Sequence, residues 1–175
     1  MPVQSGGMAD NNNKVIYAGN NSAYYPHELV HFYNFQKAGR HPHFWVDEGI
    51  ATLFGGSTGY ELDWHIEKLR IFMKEHPEFT WNQLDELAYD IPNGEFTTDF
   101  RYVIGGMMMK LIYEAEGMNG LFDAIQTERN DEAYYELLEN KLGVQQSAFV
   151  DFVKSQLKKL KPKTIKEMQC LKCWL

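Results

Sequence analysis

His27-Glu28-Leu29-Val30-His31 places two imidazoles and a carboxylate within five residues. On an α-helix, residues four apart share one face and lie about 6 Å apart along the axis, so both imidazoles can reach one Zn²⁺. Glu28, one step round the helix, can face a water at that metal and take its proton. These five residues carry the equipment for zinc-dependent hydrolysis of an amide bond. Two histidines do not complete such a site: a third protein ligand must be found downstream, leaving a fourth position open.

A metzincin would continue the motif with Gly at 34 and His at 37, but the chain has Asn34 and Lys37, which excludes that class. His41 and His43 fall on a Pro-containing loop. Trp45-Val46-Asp47-Glu48-Gly49-Ile50-Ala51 offers a carboxylate on a helix instead, and Glu48 is the preferred third ligand, with Asp47 second. The turn over 39–42 lets this helix fold back on the first, and Gly49 would let the two backbones approach closely.

The pairing of His27–His31 with the 45–51 segment resembles the gluzincin zinc peptidases, the peptidase MA-like superfamily that includes thermolysin and the zinc aminopeptidases. A third segment, Phe100-Arg101-Tyr102-Val103-Ile104-Gly105-Gly106-Met107, is similar to the Tyr-x-x-Gly helix start of the aminopeptidases. The resemblance covers about residues 14 to 160 and implies a zincin-like catalytic domain. It implies one Zn²⁺ on His27, His31 and Glu48, with Glu28 as general base and the Tyr102 hydroxyl stabilising the oxyanion. Two departures stand out. Sixteen residues separate His31 from Glu48, fewer than is usual in the aminopeptidases, and Thr52 stands where thermolysin-like members carry an Asp that orients a histidine. Gly6-Gly7-Met8-Ala9-Asp10 is similar to the aminopeptidase segment that binds a substrate N-terminus, but Ala9 replaces its acid, which implies an endopeptidase.

The elements that must position these residues are mostly helical. A strand is expected at 14–18, β-branched and aromatic between Asn- and Gly-rich turns, able to pair with an extended peptide. Ser22 reads as N-cap of a helix over about 23–38, with Pro26 in its first turn and Gly39 closing it. Further helices are expected at about 44–54, 61–75, a short one to Ala88 opened by a Thr80-Trp81-Asn82-Gln83 capping box, 97–116, 120–128, 131–141 and 146–160, with a loop over 90–95. Met107, Met108 and Met109 read as core. The fold class is therefore mainly α (α+β): an active-site helix, a helical C-terminal bundle and a small N-terminal strand region. Residues 1–160 form the expected domain, lacking upstream parts of a larger protein, and 161–175 a lysine-rich tail.

Composition narrows the partners. The net charge of −7 hides an asymmetry: residues 154–175 hold seven lysines and one acid, leaving 10 basic and 23 acidic residues before them, a net −13. An acidic body argues against nucleic acid and leaves a peptide or protein as the expected substrate. The lysine-rich tail reads as a solvated helix end that could touch an anionic surface. No apolar run approaches a membrane span, and no signal peptide is visible at the N-terminus, which leaves the compartment open. Cys170 and Cys173 form one CxxC without a second pair and carry no assignment. Two rival readings stay open: a zinc hydrolase of a non-peptide amide or ester, and a non-enzymatic helical interaction module with an incidental HExxH.

Overall fold

The computed structural model describes residues 8–17, 25–58, 60–82, 84–87, 90–93 and 96–160. It is mainly helical. In chain order the elements are β1 (Met8–Asp10), β2 (Val15–Tyr17), α1 (Tyr25–Ala38), α2 (Phe44–Gly55), α3 (Leu62–Glu75), a 3₁₀ turn (Leu84–Leu87), β3 (Asp90–Asn93), β4 (Phe96–Asp99), α4 (Phe100–Ile125), α5 (Asp131–Leu142), a 3₁₀ turn (Gln146–Ala148) and α6 (Phe149–Lys159). Among these, no helix is long and apolar enough to cross a membrane.

Local chemistry explains most boundaries. Gly39, at φ 69°, ends α1 in the left-handed region and its N–H returns to the Phe35 carbonyl at 2.8 Å. His43 caps α2, its Nδ1 accepting from the Trp45 N–H at 3.2 Å. Asp99 caps α4 by accepting from Arg101 N–H at 2.7 Å, and Asn130 caps α5 by accepting from Ala133 N–H at 2.8 Å. Gly117, at φ 64° and ψ −150°, breaks α4 where the sequence places a helix end, so α4 is two helices joined across a kink, in line with the expected 97–116 and 120–128 helices, the first starting at Phe100 and the second ending at Ile125. Ser22 lies outside the described residues.

The 90–95 loop and the 97–99 helix start are corrected to a hairpin. Asp90 pairs with Asp99, Ile91 with Thr98, Pro92 with Thr97 and Asn93 with Phe96. Asp, Pro and Asn are poor strand formers, so this strand owes its existence to its partner, whose Thr97 and Thr98 suit a ladder. The short helix expected from the Thr80 capping box to Ala88 is a 3₁₀ turn over 84–87, and the start of the 146–160 helix is likewise 3₁₀. The strand expected at 14–18 is Val15–Tyr17, paired antiparallel with Met8–Asp10.

One core lies around α4. Val103, Ile104, Met107, Met108, Met109 and Ile112 are essentially inaccessible, each contributing on the order of 2 kcal/mol by burial. The three methionines are thus core, as expected. α2 lies directly on α4, and a Cβ on Gly49 would stand 2.6 Å from the carbonyl carbon and oxygen of Gly105. Gly49 therefore serves the α2–α4 contact, not the α1–α2 approach expected from sequence. The glycine that lets α1 come close is Gly55, whose Cβ would fall 2.3 Å from the His27 nitrogen.

Candidate metal centre

Three helices and one hairpin meet at a cavity of about 290 Å³ lined by Met8, Ala9, Asn11, His27, Glu28, His31, His41, Pro42, Phe44, Asp47, Glu48, Tyr102 and Arg129. α1 contributes His27, Glu28 and His31, and the fold-back of α2 brings Glu48 against both histidines. Glu48 Oε2 stands 3.1 Å from His27 Nε2 and 3.4 Å from His31 Nε2. The two imidazole centroids are 4.8 Å apart at 78°. The His27, His31 and Glu48 ligand atoms all lie within 4.8 Å of one another, and the group could hold a metal ion. Ligands about 2.0–2.1 Å from a tetrahedral ion are separated by roughly 3.3 Å, and the two carboxylate–imidazole edges, at 3.1 and 3.4 Å, are close to that, without selecting one metal over another.

The histidines are oriented by groups that the sequence left unidentified. His27 Nδ1 lies 2.6 Å from the Gly56 carbonyl oxygen. A ring N–H donated there leaves the Nε2 lone pair facing the centre. The carbonyl reaches this position because Gly55 and Gly56 end α2 without side chains and Gly56 takes φ 68°. His31 Nδ1 lies 3.1 Å from Asp47 Oδ2, within ion-pair distance though poorly aligned as a hydrogen bond. The Asn34 side-chain amide donates to Asp47 Oδ1 at 2.7 Å. Asp47, the second-choice ligand, thus contacts His31 from outside the His27–His31–Glu48 cluster.

The other sequence candidates are placed plainly. His43 is buried and stacks on Tyr134 at 4.9 Å and 11°, its Nε2 3.3 Å from Asp131 Oδ1. It belongs to the α2–α5 contact. His41 is exposed at the cavity wall, packed on Phe35, and is not one of the clustered ligands. Tyr102 sits in the first turn of α4, one turn before Gly105, with its ring 5.8 Å from that of His27. The Gly49–Gly105 contact brings it there, and Arg101 over the Phe44 ring at 4.9 Å joins the starts of α4 and α2.

Electrostatics separate the four polar groups. Burial alone would raise Glu48, but the hydrogen-bonding imidazoles of His27 and His31 outweigh it and hold its carboxyl down at about 2. Burial would likewise depress His31, yet Asp47 and Glu48 outweigh it and raise it to about 10. Burial pushes Glu28 upward against the pull of both histidines, while the Ala9 N–H steadies its carboxylate. Burial, with Glu48 next, raises Tyr102, so its phenol keeps its proton. Asn11, 8% exposed in the β1–β2 turn, presents at this cavity a buried Oδ1 with no hydrogen-bond partner among the described residues. No pattern near the motif flagged Asn11; its polarity read simply as turn.

Comparison of the chain with protein-family models, with curated proteins and with solved structures finds no match in any of the three.

Proposed function

We propose that this protein is a zinc-dependent peptidase of the gluzincin kind, with a zincin-like catalytic domain in which His27, His31 and Glu48 hold one Zn²⁺. The observation that carries the reading is the convergence of those three side chains with Glu28 beside them and Tyr102 on the same cavity. A bound zinc ion supplies Lewis acidity, lowering the pKa of a water towards ~7 and polarising a carbonyl.

The remaining chemistry belongs to the chain. Glu28 takes the proton of the attacking water and passes it to the leaving amine; its burial raises its pKa towards the range in which a carboxylate is an effective base. Tyr102, protonated across the working range, donates its O–H to charge that develops only in the transition state. Asn11 Oδ1 offers an acceptor to a substrate N–H, which a peptide supplies and an ester lacks. Ala9, next to Glu28, has no charge with which to anchor a free ammonium, which favours cleavage within a chain over removal of an N-terminal residue.

The test is Glu28→Gln. The variant should bind one zinc per chain with near-parental affinity and lose turnover of a peptide substrate by several orders of magnitude. Peptidase activity that survives the substitution, or a parent without stoichiometric zinc, overturns the proposal. A parent that cleaves esters but no peptide moves the site to the hydrolase reading.

A further inference from the structure

A second cavity, of about 460 Å³, lies between α3 and α6, away from the candidate metal centre. Its floor is Met73, Pro77, Leu157 and Leu160. Its rim is Arg70, Lys74, Lys154 and Lys158. Arg70 is committed to structure: its Nε donates to the Leu157 carbonyl at 3.0 Å, its Nη2 to the Leu160 carbonyl at 2.7 Å, and its Nη1 pairs with Glu67. These bonds pin the end of α6 to α3 and fix the groove between them. The three lysines form no ion pair among the described residues. Lys154 and Lys158 are four apart on one helix, an arrangement of like charges that repel unless an anion lies nearby.

We propose that this face docks onto an anionic lipid surface, with the lysines at phosphate level and the apolar floor taking the upper part of an acyl chain. Charge complementarity selects the occupant. The chain before residue 154 carries a net −13, whereas residues 154–175 hold seven lysines and one acid, and two of those lysines, Lys154 and Lys158, line this groove beside Lys74. An anionic bilayer would therefore attract the three lysines of this face and repel the acidic body of the chain, which orients it. The apolar floor favours lipid over nucleic acid, whose backbone has no apolar group to place there.

Co-sedimentation of the full chain with vesicles tests this without reference to peptidase activity. The parent should bind vesicles of phosphatidylcholine plus phosphatidylserine, leave those of phosphatidylcholine alone in solution, and release from the former at high salt. The triple variant Lys74→Glu, Lys154→Glu, Lys158→Glu should weaken binding by about 100-fold or more, each lysine being worth roughly one order of magnitude or somewhat less. Met73→Gln should weaken it several-fold with the salt dependence unchanged. Circular dichroism checks that each variant folds; should the triple variant not fold, the single substitutions at the solvent-facing Lys74 and Lys158 replace it. Equal binding to both vesicles, parental binding by the folded lysine variants, or tighter binding to duplex DNA than to the anionic vesicles overturns the proposal.

Discussion

Gly49→Ala examines the contact that assembles the centre. The added Cβ would lie 2.6 Å from the backbone carbonyl carbon and oxygen of Gly105 and 2.9 Å from Met109 Cγ, where ordinary carbon contacts need about 3.5–4.0 Å. Backbone cannot rotate away, so α2 and α4 must part by on the order of 1 Å. Overpacking of this kind costs about 1–3 kcal/mol, which for a chain of this size lowers Tm by roughly 3–10 °C. The functional cost should be larger. Glu48 precedes Gly49 on α2 and Tyr102 lies one turn before Gly105 on α4, so the same shift misplaces the proposed ligand and the proposed oxyanion donor; a 1 Å error is worth about 100-fold in rate. Gly106→Ala is the matched control, because the one close contact of its Cβ is with the Leu62 side chain, at 2.6 Å from Cδ1, which can turn aside, while the Gly49 carbonyl oxygen stands at an ordinary 3.6 Å. Thermal denaturation, zinc titration and peptide turnover are measured on both. A Gly49→Ala protein as stable and as active as Gly106→Ala refutes the assignment of this contact.

Asp47→Ala removes the carboxylate beside His31 and should weaken zinc binding by about 10- to 100-fold while the chain stays folded, as read by competition with a chelating dye; unchanged affinity would deny Asp47 its orienting role. Tyr102→Phe should leave zinc stoichiometry intact and lower kcat by about 10²–10³ with little change in KM. Stability against pH should show two limbs in the metal-free protein. His65, buried with Nε2 2.9 Å from the Ser57 carbonyl, is held down to about 4 by burial. Its contribution, at most about 3 kcal/mol, is present above about pH 6.5 and lost as pH falls from there towards 4, because only the unfolded chain takes up the proton. His31, raised to about 10, contributes fully below about pH 6.5 and loses that contribution as pH rises through 10. Zinc should abolish the alkaline limb, since the ion replaces the proton, and binding should release protons measurable by buffer-dependent calorimetry. A metal-free stability that is flat from pH 6.5 to 10 would contradict the His31–Asp47–Glu48 geometry.

Much of the centre is legible from local pattern because its parts are local. The i, i+4 spacing of His27 and His31 fixes their common face once the helix forms, and that helix is announced by Pro26 in its first turn and Gly39 at its end. Glu48 could be chosen over His43 and Asp47 because a short loop between two helices permits few ways of folding back. The hairpin over 90–99 was illegible for the opposite reason: Asp90, Pro92 and Asn93 have loop chemistry, and only pairing with 96–99 makes them a strand.

The sequence by itself determined the chemical inventory: two imidazoles and a carboxylate within one turn of helix, a second carboxylate 17 positions beyond His31, and a mainly helical chain with an acidic body and a basic end. Tertiary structure alone decided what those groups do to one another. That Asp47 turns to His31 rather than into the cluster, that the Gly56 carbonyl meets His27, that Gly49 opposes Gly105 and so delivers Tyr102, and that Asn11 keeps a buried oxygen free all depend on contacts between residues far apart in the chain. Helical periodicity is a property of neighbours and can be read in order. The facing of one helix on another is set by close packing of whole surfaces, which no short stretch of sequence contains.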